Sequence, residues 1–214
     1  MLVWILIIVG VVILDQGTKL LMMNLLPNVK DTIPIIQDFF HFTHVRNTGM
    51  AFGMLGGENE RWIFIIVSII GIAALIVYLW KFRPESKWAC AALSMVIGGG
   101  IGNMIDRCFL KGEIIVDGKS EIRHYVFDFI DFCGIWPFVF NVADAFVCVG
   151  AGILMVWCIY SFVQEVKLEK QKKLAAEGNA ENTEIVEENA LTEEATEEND
   201  ENSSDSTEEK SEEN

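Results

Sequence analysis

The feature of this sequence that most constrains its fold is a set of long apolar runs. A helix needs roughly 20 apolar residues to cross the hydrocarbon core of a bilayer. The runs predict membrane-spanning helices near 2–25, 62–81, 88–108 and 139–163. The first run has no basic residues before it and no small-residue cleavage site after it. We therefore interpret it as a retained helix and not as a cleaved signal peptide.

The net charge of -15 comes from one end of the chain. Residues 174–214 hold 16 acidic residues and a single basic one, Lys210, which leaves 15 acidic and 15 basic residues in 1–173. A segment this acidic and this poor in aromatic residues cannot bury enough apolar surface to fold. We expect a disordered acidic tail, and the charge of the tail says nothing about the partners of the membrane region.

Basic residues indicate the orientation in the membrane, because they are enriched in cytoplasmic loops. They gather between the second and third runs and after the fourth. They are Lys81, Arg83, Lys87, Lys167, Lys170, Lys172 and Lys173. Both termini are therefore expected in the cytoplasm. The expected organisation is a four-helix membrane domain over 1–163, with outer loops 27–61 and 109–138, followed by a basic juxtamembrane segment and the tail over 164–214.

The two outer loops carry strand signals. Residues 33–52 mix β-branched and aromatic residues with few breakers, which is typical of short strands. In the second loop, Asp117-Gly118 lies between two strand-like runs and predicts a hairpin over 111–123. The predicted fold class is an all-α membrane protein with four spans, a small β region at the outer face and a disordered tail.

Ionisable residues within membrane spans are costly and usually functional. At about 1.5 Å per residue, Asp15 lies roughly 20 Å along the first helix and Asn103 roughly 22 Å along the third. Asp106 lies one turn further, and Asp144 lies near the outer start of the fourth helix. We expect these groups at one depth, in the outer third of the bilayer.

The spacing of the polar residues also predicts pairs. Asp15 and Lys19 are four residues apart on one helical face and can form an ion pair. Asn141 and Asp144 are three apart, as are Asn103 and Asp106. The adjacent Arg107 could satisfy Asp106 or a lipid headgroup. Considered alone, the Asp15–Lys19 and Asp106–Arg107 pairs are more often structural than catalytic.

Asp128 lies in an apolar, strand-like run just before the fourth helix. Burial among Val, Phe and Ile side chains should raise its pKa. If Asp128 meets Asp144, the two carboxyl groups should share a proton. One member can then activate a water and the other protonate a leaving amine, which is peptide hydrolysis without a covalent nucleophile. We interpret nearby Asp131 as a solvated loop charge.

Metal and cofactor chemistry have no signal in the sequence. The five cysteines include no CxxC motif or Cys/His cluster, so no zinc site is indicated. None of the three histidines is assigned as a ligand, and we predict no metal and no cofactor. A Cys108–Cys133 disulfide stays open. The glycines of 98–102 are interpreted as a close helix-packing surface rather than a nucleotide loop.

Two other functional classes remain open on these residues alone. A small proton- or cation-coupled transporter could use Asp15, Asp106 and Asp144 as a relay, although four spans without an inverted repeat argue against it. A membrane scaffold could recruit basic partners through its acidic tail.

In four blocks the sequence resembles the bacterial lipoprotein signal peptidases, or signal peptidase II. The blocks are Asp15–Lys19, Phe42–Gly53, Gly98–Arg107 and the paired segments Val126–Ile130 and Phe140–Asp144. The resemblance implies cleavage of prolipoproteins before a diacylglyceryl-modified cysteine at the outer face of the bacterial plasma membrane. It also implies lateral entry of the substrate from the lipids and sensitivity to globomycin-type peptides.

The resemblance assigns roles to individual residues. Asp128 and Asp144 match the catalytic pair of the family. The residues that match its supporting positions are Asp15, Lys19, Asn47, Asn103, Asp106, Arg107 and Asn141. Three features depart from the family pattern: His44 replaces a usual Tyr, the hairpin lengthens the link after Arg107 by about a dozen residues, and the acidic tail has no counterpart.

Overall fold

The computed structural model describes residues 1–49, 58–116 and 118–174. Several predicted features therefore lie outside the described residues. They are positions 50–53 of the second block, Asp117 of the predicted turn, and the tail from 175 onward.

The described chain forms four long helices and five short strands. The helices are α1 (Leu2–Leu25), α2 (Glu58–Val77, continued by a π-helical turn at Tyr78–Phe82), α3 (Lys87–Phe109) and α4 (Val142–Leu174). The strands are β1 (Thr32–Ile36), β2 (Phe40–Asn47), β3 (Lys111–Val116), β4 (Lys119–His124) and β5 (Val126–Asp131). All four helices are long and apolar enough to cross a membrane.

The fourth helix differs most from its predicted bounds of 139–163. It begins three residues later, because Asn141 caps it, and continues to Leu174 through a polar segment. The chain divides into two compact units, Met1–Cys158 and Ile159–Asn214. The described part of the second unit is helical. The domain boundary at 163/164 stays a prediction.

The strands form a three-stranded antiparallel sheet, in the order β1-β2-β5, and a separate β3-β4 hairpin. The three-stranded sheet, named here the cradle, joins strands that are about 80 residues apart in the chain. The register between β2 and β5 shifts between Phe42 and Val45, which marks a bulge on β2. This register places Val45 opposite Asp128 and His41 opposite Asp131.

The cradle packs against the end of α1 through a small apolar core. Met22 of α1 and Leu26, which follows it, form a cluster with Tyr125, Phe127 and Phe129, and all five side chains are buried. The same strand also carries an enclosed acidic residue. Asp128, between the two phenylalanines, is only 1% exposed.

The glycines of α3 allow close contact with two neighbouring helices, as the sequence predicts. A Cβ atom on Gly98 would lie 2.8 Å from Cβ of Val11 in α1. A Cβ on Gly99 would lie 2.5 Å from the backbone oxygen of Ala143 in α4. A Cβ on Gly102 would lie 2.5 Å from the Asp15 carboxylate. Because these three positions have no side chain, the helices approach closely enough for polar residues of α1, α3 and α4 to form hydrogen bonds.

We expect Gly99→Ala to destabilise the protein by about 1–3 kcal/mol, because the backbone of α4 must move away from the added methyl group. The matched control is Gly10→Ala in α1, where nothing lies within 4 Å of an added Cβ. The control should be neutral or slightly stabilising, since alanine is the better helix former. Thermal unfolding in detergent measures both, and equal melting temperatures would contradict the packing argument.

Candidate active site

Lys19 of α1 lies at the centre of a buried polar cluster. Its side chain is 1% exposed. Its Nζ lies 2.9 Å from an Asp15 carboxylate oxygen and 2.8 Å from an Asp106 oxygen. It also donates to Oδ1 of Asn103 at 3.1 Å. These contacts use all three ammonium donors, so the charge is compensated without water.

The two carboxylates also bind backbone groups of other elements. Asp15 Oδ1 accepts from the backbone N–H of Ala143 at 2.9 Å, and Asp106 Oδ2 accepts from that of Phe127 at 3.2 Å. Gln16 Nε2 donates to both carboxylates, at 3.1 and 3.0 Å. The cluster therefore fixes the starts of α4 and β5 relative to α1 and α3. Gln16 was not predicted as a site residue, although it lies within the first matched block.

Asn141 and Asp144 form a reciprocal cap at the start of α4. The backbone N–H of Asp144 donates to Oδ1 of Asn141 at 3.0 Å, and the backbone N–H of Asn141 donates to Oδ2 of Asp144 at 3.3 Å. The arrangement is that of a capping box, with Asn141 as the cap residue and Asp144 three positions on. The cap fixes the Asp144 carboxylate at the N-terminal start of α4.

Two asparagine amides connect this carboxylate to Asp128. Asn141 Nδ2 donates to Asp128 Oδ1 at 2.6 Å and to Asn103 Oδ1 at 3.0 Å. Asn103 Nδ2 donates to Asp144 Oδ1 at 2.7 Å. Because Asn103 Oδ1 also accepts from Lys19, only the NH₂ group of this amide can face Asp144. The side-chain amides of Asn103 and Asn141 thus connect the two aspartates in one hydrogen-bond network.

Asp128 accepts a second hydrogen bond from Asn47 at the end of β2. Nδ2 of Asn47 donates to Asp128 Oδ2 at 2.8 Å. Oδ1 of Asn47 accepts from the backbone N–H of Gly49 at 2.8 Å, which fixes the orientation of the amide. Gly49 has a φ of 81°, a conformation that glycine adopts readily, and it completes this Asx-type turn.

The pKa of Asp128 is set by its burial and by the charged and polar groups around it. Burial and, to a smaller extent, the neighbouring Asp144 carboxylate together raise the pKa of Asp128 from 3.8 to about 7. The hydrogen bonds from Asn47 and Asn141 favour the charged form and oppose this shift. Burial outweighs both amides, so Asp128 gains a proton near neutral pH.

Comparison with known proteins identifies the family. Residues 7–160 match the family described as Signal peptidase (SPase) II. The chain is 41% identical over 148 residues to the lipoprotein signal peptidase of Halothermothrix orenii, covering 69% of this chain and 88% of that protein. It is 38% identical over 157 residues to that of Clostridioides difficile, covering 73% and 95%.

The chain belongs to the signal peptidase II family. It is also similar to a solved structure described as a bacterial membrane enzyme at 1.9 Å resolution, with a TM-score of 0.61 and 31% identity over 73% of this chain and 92% of that one. The protein is therefore a multi-pass membrane peptidase of the aspartic type. This membership decides against the transporter and scaffold alternatives.

An apolar groove lies beside the polar cluster of this signal peptidase II family member. Its volume is about 400 Å³. It is lined by Phe132, Ile135, Trp136, Phe140, Asp144, Ala145 and Cys148. Asp144 belongs both to this lining and to the hydrogen-bond network of Asn103 and Asn141. An apolar ligand in the groove would therefore lie beside its carboxylate.

His44, which departs from the family pattern, connects the cradle to α1. Its Nδ1 lies 2.8 Å from the carbonyl oxygen of Leu26. A carbonyl can only accept, so this nitrogen carries the proton. The ring is 3% exposed and meets Phe127 edge-on at 4.8 Å. Burial lowers the pKa of His44, so the imidazole is neutral at physiological pH.

The β3-β4 hairpin contacts β2 next to Asn47. Arg46 Nη1 donates to the carbonyl oxygen of Glu113 at 2.7 Å, and its guanidinium lies 5.1 Å from the centre of the Tyr125 ring. A Cβ on Gly112 would come within 2.8 Å of both side chains, so a glycine is required there. The base of the hairpin is therefore fixed against the strand that carries Asn47.

The structure gives Asp106 and Arg107 their partners and corrects one predicted environment. Asp106 forms its ion pair with Lys19, while Arg107 Nη1 donates to the backbone oxygen of Asn103 at 3.2 Å. Asp131 was predicted to be a solvated loop charge, and this is wrong. It is the last residue of β5, half-buried, and accepts from Thr43. All five cysteines, including Cys108 and Cys133, are free thiols.

Proposed function

We propose that Asp128 and Asp144 form the catalytic pair of this protease, which removes signal peptides from prolipoproteins. The observation that carries the proposal is the shared binding of both carboxyl groups by Asn141. This residue donates its side-chain amide to Asp128 and its backbone N–H to Asp144. Two carboxyl groups held this close cannot both ionise at low cost, so one proton is shared between them.

The surroundings of the two residues suggest different roles in hydrolysis. Asp144 lines the groove and is half-buried, whereas Asp128 is enclosed and has a raised pKa. The Asp144 carboxylate accepts a proton from a water whose oxygen attacks the scissile carbonyl carbon. Asp128 donates its proton to the carbonyl oxygen. The proton on Asp144 then passes to the leaving nitrogen as the C–N bond breaks, and the carbonyl re-forms by returning its proton to Asp128.

The residues around the pair hold it in place and do not themselves react. Asn103 and Asn141 orient the two carboxyl groups, and Asn47 binds the far oxygen of Asp128. The three charged residues Asp15, Lys19 and Asp106 fix the helices that carry these amides. Arg107, one residue after Asp106 in α3, supplies positive charge that interacts with Asp144 and Asp128.

The groove favours a lipid-modified substrate. Apart from Asp144, its lining consists of apolar and aromatic side chains and one cysteine. An acyl chain or an apolar peptide side chain fits such a lining beside a carboxylate. We therefore assign cleavage to the bond before a diacylglyceryl-modified cysteine, with entry from the surrounding lipids. A globomycin-type peptide would compete for the same groove.

The orientation in the membrane follows from the charge distribution. Basic residues at the ends of α2 and α4 favour the cytoplasm for both termini. The cradle, the hairpin and the catalytic pair then lie at the outer face of the bacterial plasma membrane. The acidic tail then lies on the cytoplasmic side and takes no part in the reaction.

The pH dependence of cleavage tests the proposed chemistry. The active enzyme carries one proton on the pair, so the rate should fall on the alkaline side with an apparent pKa near 7, as Asp128 loses its proton. It should also fall in acid, when the second carboxyl group is protonated. The expected profile is bell-shaped, with macroscopic pKa values that belong to the pair. The measurement is kcat/KM for a diacylated prolipoprotein in detergent or bilayers.

The same peptide without the diacylglyceryl group is the substrate control. It should be cleaved much more slowly, because it cannot fill the apolar groove. A rate that stays constant from pH 4 to pH 10 would exclude the shared-proton mechanism. Equal cleavage of both peptides would exclude the assigned substrate class and leave the catalytic pair untouched.

A further inference from the structure

Three side chains of metal-binding types lie together at the end of the cradle where β2 begins and β5 ends, away from the catalytic network. His41 on β2 and Asp131 on β5 are directly opposite each other in the sheet. Sγ of Cys133 lies 2.9 Å from Nδ1 of His41. One potential ligand atom from each of the three residues lies within 4.8 Å of the others, and all three residues are half-buried.

We propose that His41, Asp131 and Cys133 bind a zinc ion. A thiolate, an imidazole and a carboxylate are the three ligand types of protein zinc sites. Calcium and magnesium require oxygen ligands, so this mixed set does not suit them. In a tetrahedral site with the usual bond lengths, a ligating nitrogen and sulfur lie about 3.5 Å apart. The Sγ–Nδ1 separation of 2.9 Å is somewhat shorter than this value, and all three ligand atoms lie within 4.8 Å of one another, so small side-chain rotations would admit the ion.

A neighbouring hydroxyl orients the carboxylate of this site. Thr43 Oγ1 donates to Oδ2 of Asp131 at 2.8 Å. Such outer hydrogen bonds fix the orientation of ligating groups and increase metal affinity. Thr43 lies two residues after His41 on β2, so both face the same side of the strand. Three protein ligands leave the fourth position for a water molecule.

The backbone holds the three ligands in place before any ion binds. Strand pairing fixes His41 and Asp131, and Cys133 lies two residues after Asp131, in the turn between Phe132 and Ile135. Gly134 makes this turn with a φ of 73°. Between the two β5-side ligands, Phe132 packs its ring against Phe40 and Phe140, with centroids 5.2 and 5.8 Å apart. A preorganised site of this kind loses little conformational entropy on binding.

The zinc site is distinct from the catalytic pair. Asp128 and Asp131 are three residues apart on β5, so their side chains point to opposite faces, roughly 10 Å apart along the strand. The segment 132–140 leads from the zinc site along the groove to α4. A bound ion would fasten the start of this segment to β2. Because the ion lies apart from the catalytic pair, hydrolysis does not require it.

Spectroscopic titration of the full chain tests the site. The protein is purified in detergent without a polyhistidine tag, stripped with a chelator and kept reduced. Co²⁺ is then added as the probe. We expect one equivalent to give a sulfur-to-cobalt charge-transfer band and the visible bands of tetrahedral cobalt, both lost when Zn²⁺ is added. Cys133→Ser should abolish the charge-transfer band, and Cys133→Ser and His41→Ala should each weaken Zn²⁺ binding by about 100-fold or more.

Thr43→Ala tests the orienting hydroxyl and should weaken Zn²⁺ binding by about 10-fold. The matched controls are Cys108→Ser, which removes an exposed thiol, and His124→Ala, which removes a histidine of the hairpin. Both should bind as the unmodified chain does. All variants should still cleave substrate, which shows that they are folded.

A measurement on the unmodified chain needs no variant. Zn²⁺ should protect Cys133 from alkylation by iodoacetamide and leave Cys108 reactive, as read by mass spectrometry. Absence of saturable binding at one equivalent would overturn the proposal. Binding that survives the loss of both Cys133 and His41, or alkylation of Cys133 unchanged by Zn²⁺, would also overturn it.

Discussion

Asp128→Asn and Asp144→Asn should each lower the rate of prolipoprotein cleavage by roughly 10³-fold or more. A positioned general acid or base contributes about 10²–10⁴-fold to a rate, and here each residue serves in both steps of the reaction. The two residues act as a unit, so the double variant should be no slower than the slower single one. The measurement is single-turnover cleavage of a diacylated substrate, which separates chemistry from product release.

A stability measurement checks that the variants are folded. Asp128→Asn should raise the stability at alkaline pH although it lowers the cleavage rate. Burial raises the pKa of Asp128 to about 7, so the folded state binds a proton between pH 4 and 7 that the unfolded state does not. Stability of the unmodified chain should therefore fall as the pH rises through this window. Asp128→Asn carries no charge and should be the more stable protein at pH 8, by a margin that shrinks toward pH 4.

The matched control for both aspartates is Asp38→Asn. Asp38 is exposed in the turn between β1 and β2, with a φ of 60° that asparagine also tolerates. It should cleave at the normal rate. Near-normal cleavage by either Asp128→Asn or Asp144→Asn would reject the catalytic pair.

Lys19→Met should lower the apparent melting temperature by roughly 6–20 °C. Loss of one partner from a buried ion pair costs about 3–5 kcal/mol, because the remaining charges are left uncompensated. For a chain of this size, each kcal/mol corresponds to about 2–4 °C. Here two carboxylates lose their cation together, since Lys19 contacts both Asp15 and Asp106. Thermal unfolding in detergent measures the change.

A second substitution separates charge from packing. Adding Asp15→Asn and Asp106→Asn to Lys19→Met removes the uncompensated carboxylates and should restore part of the lost stability. The control is Lys167→Met, at an exposed lysine of α4, which should leave the melting temperature unchanged. Equal melting of Lys19→Met and the unmodified chain would show that the cluster contributes nothing to stability.

Much of the membrane architecture could be predicted because hydropathy is a local property. A run of about 20 apolar residues has few alternatives to a spanning helix. All four runs form such helices, and the predicted hairpin forms between Lys111 and His124. The glycines of α3 were predicted to pack closely for the same reason, since small residues in an apolar helix serve mainly to admit a neighbour.

The partners of the polar residues depended on tertiary structure. The sequence paired Lys19 with Asp15 through helical spacing, but its contacts with Asp106 and Asn103 join residues more than 80 positions apart. Helix ends shifted where a side chain capped the backbone, as Asn141 does for α4. Such contacts leave no periodic signal in the sequence.

The sequence by itself therefore determined which segments cross the membrane and which polar residues near them are expected to have a function. Tertiary structure alone decided the environment of Asp131. The pairing of β2 with β5, with its bulge after Phe42, sets His41 opposite Asp131. Cys133 lies two residues further on, in the turn that follows β5, with Sγ 2.9 Å from Nδ1 of His41. Strand register is fixed by packing on both faces of the sheet, so no spacing along the chain could reveal this group of ligands.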